Sequence, residues 1–524
     1  MSKRRTSIVF VAAAALAGCS GDAPPNAPEQ PGVVATDRGL VQGIETAGTW
    51  AYLGIPYAAP PVGTLRWAAP VPHDRWSGAL DARAFGSRCV QPNPLNAHAT
   101  IGNEDCLSLN VWAPSGATSR SGLPVLVFDS GNAAEQWTLG TYLWDGADLA
   151  ARTGSIVVTL NYRGGVLGFL AHGSLGEHAG NYGLLDQLAA LRWVQTNIAE
   201  FGGDRARVLL FGVSQSADAV CDLVASPLSK GLMSAALMES GRCTAVTTAA
   251  AAQTTAQTLA HAVGCDTVAD PARCLRDVDA GTVTLAGKGS NWLSTIDGLV
   301  LQDVPWKVIA SGAHNHIPFI VGSNSAETAQ DYFRQYPAGM TEEQYEAVAL
   351  AAFGGDRNLT EQAMALYPPK DFGGDPRAAL IAASTDGTFG CIARFTARAF
   401  ASGQREPVWR YYFTHALDND APWHAQGAWH VLETVFVFGH VAKFDGAYQP
   451  SAAEDVLSAD LAGYWSRLAA NGDPNGSGAV AWPRYDATRD TYLQLDETTQ
   501  AGEAFLPEKC GFWDAVLGLA PILR

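Results

Sequence analysis

Runs of consecutive apolar, mostly β-branched residues recur along the chain, and segments with a helical spacing of apolar positions lie between them. Such runs are typical of strands buried on both faces of a sheet. Six of them predict strands at residues 123–128, 155–163, 206–211, 235–238, 317–321 and 408–413. The clearest helical pattern covers residues 184–201. Alternating strands and helices predict an α/β fold, with a large, mainly parallel central sheet and helices on both faces.

One predicted strand-to-helix junction carries a candidate nucleophile. The strand predicted at 206–211 runs into the sequence GVSQS at 212–216, which has Ser214 in its centre, and a helical segment follows. A serine on such a sharp turn projects its hydroxyl beyond the edge of the sheet. The turn also directs the backbone N–H of the next residue at the carbonyl under attack. A purely structural turn serine is the alternative.

The N-terminus predicts export. A lysine and two arginines precede an apolar segment at 7–15, which is too short to span a bilayer. The LAGC sequence that ends at Cys19 is similar to the lipobox of bacterial lipoproteins, in which the cysteine is lipidated and becomes the mature N-terminus. Residues 1–18 are therefore predicted to be a lipoprotein signal peptide, and the proline-rich residues 19–32 a tether. A conventional secretory signal, giving a periplasmic or secreted protein, is the alternative.

The rest of the chain is predicted to be one large domain in the bacterial cell envelope. Residues 33–524 contain no internal repeat, no clear linker and no apolar stretch of the length that a membrane span needs, so only the lipid would attach the protein to a membrane. With 34 Lys and Arg against 51 Asp and Glu, the net charge of −17 argues against nucleic-acid binding. No motif indicates a metal or an organic cofactor, and neither is predicted.

Short motifs spread over nearly the whole chain point to a family. They are YLGIPYA at 52–58, EDCLSLNVW at 104–112, GNYGLLDQ at 180–187, FGGD at 201–204, GSNSAE at 322–327, GAWH at 427–430 and FVFG at 436–439. Together with the serine turn, they resemble the type-B carboxylesterase and cholinesterase-like family. The resemblance implies an α/β-hydrolase fold with long insertions and the hydrolysis of carboxylic esters.

The resemblance also implies a catalytic triad, whose nucleophile, acid and base are Ser214, Glu327 and His430. Their order along the chain, Ser…Glu…His, is the order of this fold. Asp331 is a neighbouring alternative for the acid, and His424 is one for the base. Glu433, three residues after the predicted base, is interpreted as a residue beside the site or on a helix face.

The predicted oxyanion hole departs from the family pattern. The resemblance implies as donors the backbone N–H groups of Asn132, Ala133 and Gln215. The family usually has HGGG after the strand predicted at 123–128, whereas this chain has SGNA at 130–133. Asparagine tolerates a positive φ better than alanine does. We therefore expect an altered rate and substrate range but the same type of reaction.

Cysteine number and position predict disulfides. Nine cysteines are present, and removal of Cys19 leaves eight, an even number in an exported protein. The resemblance implies two pairs that close short loops, and we extend the prediction to two further pairs. In that order the pairs are Cys89–Cys106, Cys265–Cys274, Cys221–Cys243 and Cys391–Cys510.

The predicted function is that of a serine hydrolase that cleaves small-molecule carboxylic esters through an acyl-enzyme. The alternatives are a catalytically weak or non-catalytic binding protein and a lipase or acyltransferase on the same fold. Binding proteins of this family usually lack a triad residue, so retention of all three favours the enzyme. Four aromatic residues are candidates for the substrate pocket, with core packing as the alternative for each: Trp137, Trp292, Phe389 and Phe438.

Overall fold

A computed structural model describes residues 31–46, 48–130, 144–443 and 446–519 of the chain. The strands of this part are β1 (Val33–Ala35), β2 (Leu40–Gln42), β3 (Ile44–Thr46), β4 (Thr49–Pro56), β5 (Ala79–Asp81), β6 (Gln91–Asn93), β7 (Asn96–Ile101), β8 (Ser108–Pro114), β9 (Leu123–Asp129), β10 (Ile156–Leu160), β11 (Gly203–Val213), β12 (Ala235–Glu239), β13 (Val246–Thr248), β14 (Ser294–Ile296), β15 (Phe319–Asn324), β16 (Val408–Phe413), β17 (Tyr492–Leu495) and β18 (Gln500–Gly502).

The α-helices of the described residues lie mainly between these strands. They are α1 (Ala147–Thr153), α2 (Gly165–Phe169), α3 (Tyr182–Asn197), α4 (Gln215–Ala225), α5 (Ala249–Ala262), α6 (Pro271–Asp277), α7 (Ala280–Ala286), α8 (Pro305–Ala310), α9 (Ala329–Gln335), α10 (Glu342–Ala352), α11 (Arg357–Leu366), α12 (Pro376–Thr385), α13 (Cys391–Gly403), α14 (Ala421–His424), α15 (Leu432–Phe438), α16 (Ala452–Asn471) and α17 (Pro507–Val516).

An eleven-stranded sheet, in the order β18-β17-β16-β15-β12-β11-β9-β10-β8-β4-β3, forms the centre of the described part. Its seven strands from β17 to β10 pair in parallel, and antiparallel strands extend both edges. All six strands predicted from apolar runs belong to this parallel part, with ends that shift by up to three residues. The helix predicted at 184–201 is α3 followed by a 3₁₀ turn at 198–201. The predicted fold class is confirmed.

Each face of the sheet buries its own apolar core, because successive side chains of a strand point to opposite faces. In β9, Val125 and Val127 belong to one cluster, whereas Leu126 and Phe128 belong to the other. Helices α3 and α4 cover the first face, and α15 and α16 cover the second. This two-sided burial explains why the central strands have continuous apolar runs instead of an alternating pattern.

Four disulfides join the described cysteines in the pairs Cys89–Cys106, Cys221–Cys243, Cys265–Cys274 and Cys391–Cys510. Cys391–Cys510 links α13 to the C-terminal helix α17 across 119 residues of sequence. Disulfides of this number are typical of exported proteins. In the described ranges, no helix has both the length and the apolar character required to cross a membrane.

Two of the four candidate pocket aromatics pack in the core. Phe438 is fully buried, with ring centroids 5.0 Å from Phe128 and 5.4 Å from Trp144. Trp292 is also buried, and its indole N–H donates to the carbonyl of Gly287. Trp137 lies outside the described residues, and Phe389 contacts a histidine of the candidate site.

Candidate active site

Ser214 lies on a strained turn between β11 and α4. Its φ of 61° and ψ of −128° are unusual for a residue with a side chain, and such strain costs about 1–3 kcal/mol. The turn is held at both ends, because Ser214 N–H donates to Glu239 O and Asp218 N–H donates to Ser214 O. A Cβ added at Gly212 would lie 2.9 Å from the Cβ of Ser216, so strand and helix pass too closely here for a larger residue. This is the geometry of a nucleophile elbow.

The predicted acid and base are brought into direct contact. Glu327 lies three residues beyond the end of β15, and His430 lies just before α15, where Val431 adopts a φ of 70°. His430 Nδ1 is 2.5 Å from Glu327 Oε2. An Nδ1–H that donates to a carboxylate leaves Nε2 as the basic nitrogen of the neutral ring. In the neutral ring, contact with the carboxylate therefore favours the tautomer that a general base requires.

The second carboxylate oxygen of Glu327 is fixed by two further donors. The Ser240 hydroxyl donates to Oε1 at 2.5 Å, and the backbone N–H of Asn324 donates to the same atom at 2.7 Å. Ser240 itself has a φ of 53° and donates its N–H to Gly322 O. Because Glu327 is only 3% exposed, these bonds set its orientation with little competition from water.

Electrostatics favour a charged His430. Burial alone would lower the pKa of its imidazole, but attraction to Glu327 and the hydrogen bond to it act in the opposite direction, with smaller help from Glu433. The result is a pKa above the usual value of 6.5. A raised pKa makes the ring a better proton acceptor, provided that it is still neutral at the working pH.

Two further glutamates are fully buried behind this pair. Glu433 accepts hydrogen bonds from Asn324 Nδ2 at 2.5 Å and from Tyr411 OH at 3.1 Å. Glu239 accepts from Thr434 Oγ1 and Trp465 Nε1. Burial, and then repulsion from Glu327, raise the pKa of Glu433 to about 7. Its carboxylate contacts the residues that hold Glu327 and does not contact His430, in agreement with its interpretation as a residue beside the site.

The sequence alternatives lie elsewhere. Asp331 is exposed and forms an ion pair with Arg334 at 2.6 Å. The Nδ1 atom of His424 lies 2.9 Å from the carbonyl of Leu417. Neither side chain is hydrogen-bonded to Ser214, Glu327 or His430 in the described part of the chain.

Of the three predicted oxyanion-hole donors, only Gln215 lies in the described residues. It is exposed and is the first residue of α4, where backbone N–H groups have no acceptor within the helix. Asn132 and Ala133 lie outside the described residues. The Ser214 side chain is partly exposed and has no hydrogen bond to another described residue. Such contacts often form only when substrate is bound.

A second histidine–carboxylate group, His415 with Asp418 and Glu497, has atoms close enough together to ligate a metal ion. However, both ring nitrogens of His415 already face other carboxylates. Nε2 is 3.1 Å from Glu454 and Nδ1 is 3.3 Å from Asp496. The arrangement is that of a buried imidazolium held between two anions, which is a structural role.

Sequence reasoning missed Ser240, Asn324 and the position of Phe389. One signal for the first two was present, because Ser240 directly follows β12 and Asn324 ends β15, and these strands are parallel neighbours. Polar residues at the carboxyl ends of adjacent parallel strands meet at one edge of the sheet. The ring of Phe389 lies tilted against that of His430, with 5.1 Å between the centroids, and no motif indicates this contact.

Comparisons with known proteins agree with this geometry. A model of the carboxylesterase family matches residues 30–513. The chain is 34% identical to fumonisin B1 esterase of Sphingopyxis macrogoltabida, over 86% of this chain and 84% of that protein. It is also 34% identical to para-nitrobenzyl esterase of Bacillus subtilis (strain 168), over 89% and 95% of the two chains. Carboxylesterase 1C of Rattus norvegicus is 32% identical, over 94% and 95%.

Proposed function

The chain belongs to the carboxylesterase family, and we propose that Ser214, His430 and Glu327 carry out its reaction. Hydrolysis of carboxylic esters follows from the family and from relatives that are named as esterases. The assignment of residues rests mainly on one observation, the 2.5 Å contact between His430 Nδ1 and Glu327 Oε2. The strained turn at Ser214 supports it.

In the first half of the proposed reaction, Ser214 Oγ attacks the ester carbonyl carbon while His430 Nε2 accepts its proton. Glu327 stabilises the imidazolium that forms and keeps the ring in one tautomer. The tetrahedral intermediate then collapses, the bond from carbon to the alcohol oxygen breaks, and His430 returns the proton to that oxygen. The alcohol leaves, and the acyl group remains on Ser214.

In the second half, water takes the place of the alcohol. His430 Nε2 removes a proton from the water as its oxygen attacks the acyl carbon. The new intermediate expels Ser214 Oγ, which recovers the proton from His430. The carboxylic acid leaves and the enzyme is restored. Because the base accepts a proton and then returns it in each half of the reaction, its pKa must lie near the working pH.

Replacement of the nucleophile tests the residue assignment. Ser214→Ala should lower kcat on a short-chain aryl ester by about 10⁴-fold or more, because a triad without its nucleophile keeps only the contribution of binding. The variant should also lose labelling by a fluorophosphonate probe. Ser234→Ala is the matched control, since its hydroxyl bonds to Val208 O at the opposite edge of the sheet. More than about a tenth of wild-type activity in Ser214→Ala, with Ser234→Ala unchanged, contradicts the assignment.

We propose the backbone N–H groups of Asn132, Ala133 and Gln215 as the donors that stabilise the oxyanion. Gln215 supports the proposal, because it begins α4 directly after the nucleophile. Removal of one such donor typically costs about 3–4 kcal/mol. If alanine directs one donor poorly, Asn132→Gly with Ala133→Gly should raise kcat by roughly tenfold and leave KM nearly unchanged, because the oxyanion exists only along the reaction path. A slower double variant would instead mean that the wild-type loop is well organised.

We also propose that residues 1–18 are a lipoprotein signal peptide, that residues 19–32 are a tether and that the esterase domain covers residues 33–524. Lipidation of Cys19 would place the enzyme on a membrane of the bacterial envelope. The LAGC sequence supports this, and the four disulfides support export. Cys19→Ala should release the protein from the membrane fraction, which an immunoblot of fractionated cells measures. Unchanged membrane association would argue for another anchor.

A further inference from the structure

A π turn interrupts a long helix beside His430. The helix begins with α12, continues through the π turn Asp386–Gly390 and resumes directly as α13. A π turn inserts one residue into a helix, is rare, and is found frequently at functional sites. Because the inserted residue changes where the following side chains point, it can place a side chain where an uninterrupted helix would not.

The consequence here is the placement of Phe389 against the candidate base. The ring centroids of Phe389 and His430 are 5.1 Å apart, with an angle of 35° between the ring planes. The bond to Glu327 fixes one edge of the imidazole but does not by itself prevent the ring from swinging about that bond. A phenyl ring against the imidazole limits this motion. It also favours the charged imidazolium, because cations are attracted to the face of an aromatic ring.

Buried hydrogen bonds hold the π turn in place. Asp386, the first residue of the turn, is only 3% exposed and accepts a hydrogen bond from Tyr367 OH at 2.9 Å. That hydroxyl in turn accepts from Trp513 Nε1 at 2.9 Å. At the other end of the turn, the Gly390 carbonyl accepts from Arg410 Nη2 at 3.3 Å. The turn is therefore fixed at both ends by side chains from other elements.

The C-terminal helix α17 supplies the outer part of this support. It carries Trp513, and the disulfide Cys391–Cys510 joins it to the first residue of α13. A Cβ added at Gly387 would lie 2.8 Å from the Trp513 ring, so the indole packs directly on the turn. A chain of contacts thus leads from α17 through Tyr367 and Asp386 to the π turn.

We propose that Phe389 is a positioning residue for the general base: the π turn, braced by Asp386, Tyr367 and Trp513, holds its ring against the His430 imidazole and keeps Nε2 directed at Ser214. The inference rests on the proposed function of His430. A base displaced by about an ångström can cost up to roughly 100-fold in rate, so removal of one of two restraints should cost about tenfold.

The principal test compares Phe389→Leu, Phe389→Ala and Phe389→Tyr on acetyl and butyryl aryl esters over a range of pH. The first two variants lose the ring, so kcat should fall about tenfold on both esters, with KM within about twofold of wild type. The kinetic pKa of the base should fall by a few tenths, because the ring is lost while the carboxylates whose charges act on His430, those of Glu327, Glu433, Asp331 and Asp218, are still present. Phe389→Tyr keeps the ring and should restore both values.

The opposite pattern overturns the proposal. If Phe389 only shapes an acyl pocket, the variants change KM in a manner that depends on acyl length, and the kinetic pKa stays at the wild-type value. Phe395→Leu is the matched control, because Phe395 lies on α13 and packs edge to face against Trp306 at the same 5.1 Å centroid separation, away from His430. Equal losses of kcat in Phe395→Leu and Phe389→Leu would indicate a general effect on folding and would also overturn the proposal.

A variant outside the site tests whether the effects of the Phe389 variants come only from local misfolding. Trp513→Phe removes the indole N–H that donates to Tyr367 and part of the ring that packs on the turn, and it should lower kcat and the kinetic pKa in the same direction but by a smaller factor. Failure of this inference can be distinguished from failure of the proposed function. An active Ser214→Ala variant refutes the triad, whereas an inactive Ser214→Ala variant together with a wild-type-like Phe389→Leu variant refutes only the role of Phe389.

Discussion

His430 and His415 both lie against buried carboxylates, but the two rings are paired differently. In His430, Nδ1 contacts Glu327, and no hydrogen bond joins Nε2 to another described residue. In His415, Nδ1 faces Asp496 and Nε2 faces Glu454. The two histidines, fifteen positions apart, therefore differ in their ring nitrogens. In His430 one nitrogen contacts a carboxylate, and in His415 both nitrogens do.

The difference shows how the histidine that we propose as the base differs from one with a structural role. A ring with one basic nitrogen left over can accept and return a proton. A ring held by carboxylates at both nitrogens stays charged. Burial would lower the pKa of His415, but the hydrogen bonds to Asp496 and Glu454 raise it to about 9. At neutral pH, His415 is therefore a fixed cation that joins the end of β16 to α16 and β17.

The largest expected effect comes from the carboxylates of the two groups. Glu327→Gln keeps the shape of the acid but removes its charge and favours the wrong tautomer of His430, so kcat should fall by about 10⁴-fold. Glu454→Gln, the matched change at His415, should leave kcat within about twofold and lower the free energy of unfolding by about 3 kcal/mol. Steady-state kinetics and urea unfolding measure the two. Comparable losses of kcat would mean that the comparison is wrong.

The next effect is on pH dependence, where the two histidines should act in opposite directions. The folded-state pKa of His415 is about 9, above its ordinary value of 6.5. Its contribution to stability, roughly 3 kcal/mol, is therefore fully present below pH 6.5 and is lost as the pH rises through 9. In contrast, kcat/KM should rise with pH, because His430 must lose its proton before it can act as a base. The midpoint of this rise should lie above pH 6.5.

Unfolding of the wild type and of His415→Gln between pH 6 and pH 10 measures the stability half of this prediction. The difference in unfolding free energy between the two proteins should shrink as the pH rises. A difference that is constant over this range would show that folding does not raise the pKa of His415, and the contrast with His430 would then lose its basis.

Sequence could indicate His430 but not the difference between the two histidines. The strands and the serine turn follow from local patterns, because each depends on neighbouring residues, and the resemblance to the family implies the proposed triad. The partners of Glu327 do not follow from a local pattern, since Ser240 is 87 residues away from it along the chain. The π turn at Asp386–Gly390 is equally hidden, because it is held by the side chains of Tyr367 and Arg410, which come from other elements. Exact pairing depends on how distant elements pack, and a single sequence does not contain that information.

The smallest expected effect sharpens the comparison at the carboxylate behind the pair of His430 and Glu327. Burial and repulsion from Glu327 raise the pKa of Glu433 from 4.5 to about 7, so the folded protein binds a proton there more tightly than the unfolded chain does. Stability should therefore decrease as the pH rises from 4.5 to 7. Glu433→Gln, which mimics the protonated acid, should remove this decrease and leave the protein at least as stable as the wild type at pH 7.

The same variant should lower the kinetic pKa of the base by a few tenths, because the negative charge of Glu433 helps to raise the pKa of His430. It should change kcat at high pH by less than about threefold, since Asn324 can still donate to the amide oxygen of glutamine. A pH–rate profile and urea unfolding at pH 5 and pH 7 measure these effects. A loss as large as that of Glu327→Gln would instead make Glu433 part of the acid itself, and His430 would then be paired through two carboxylates, as His415 is.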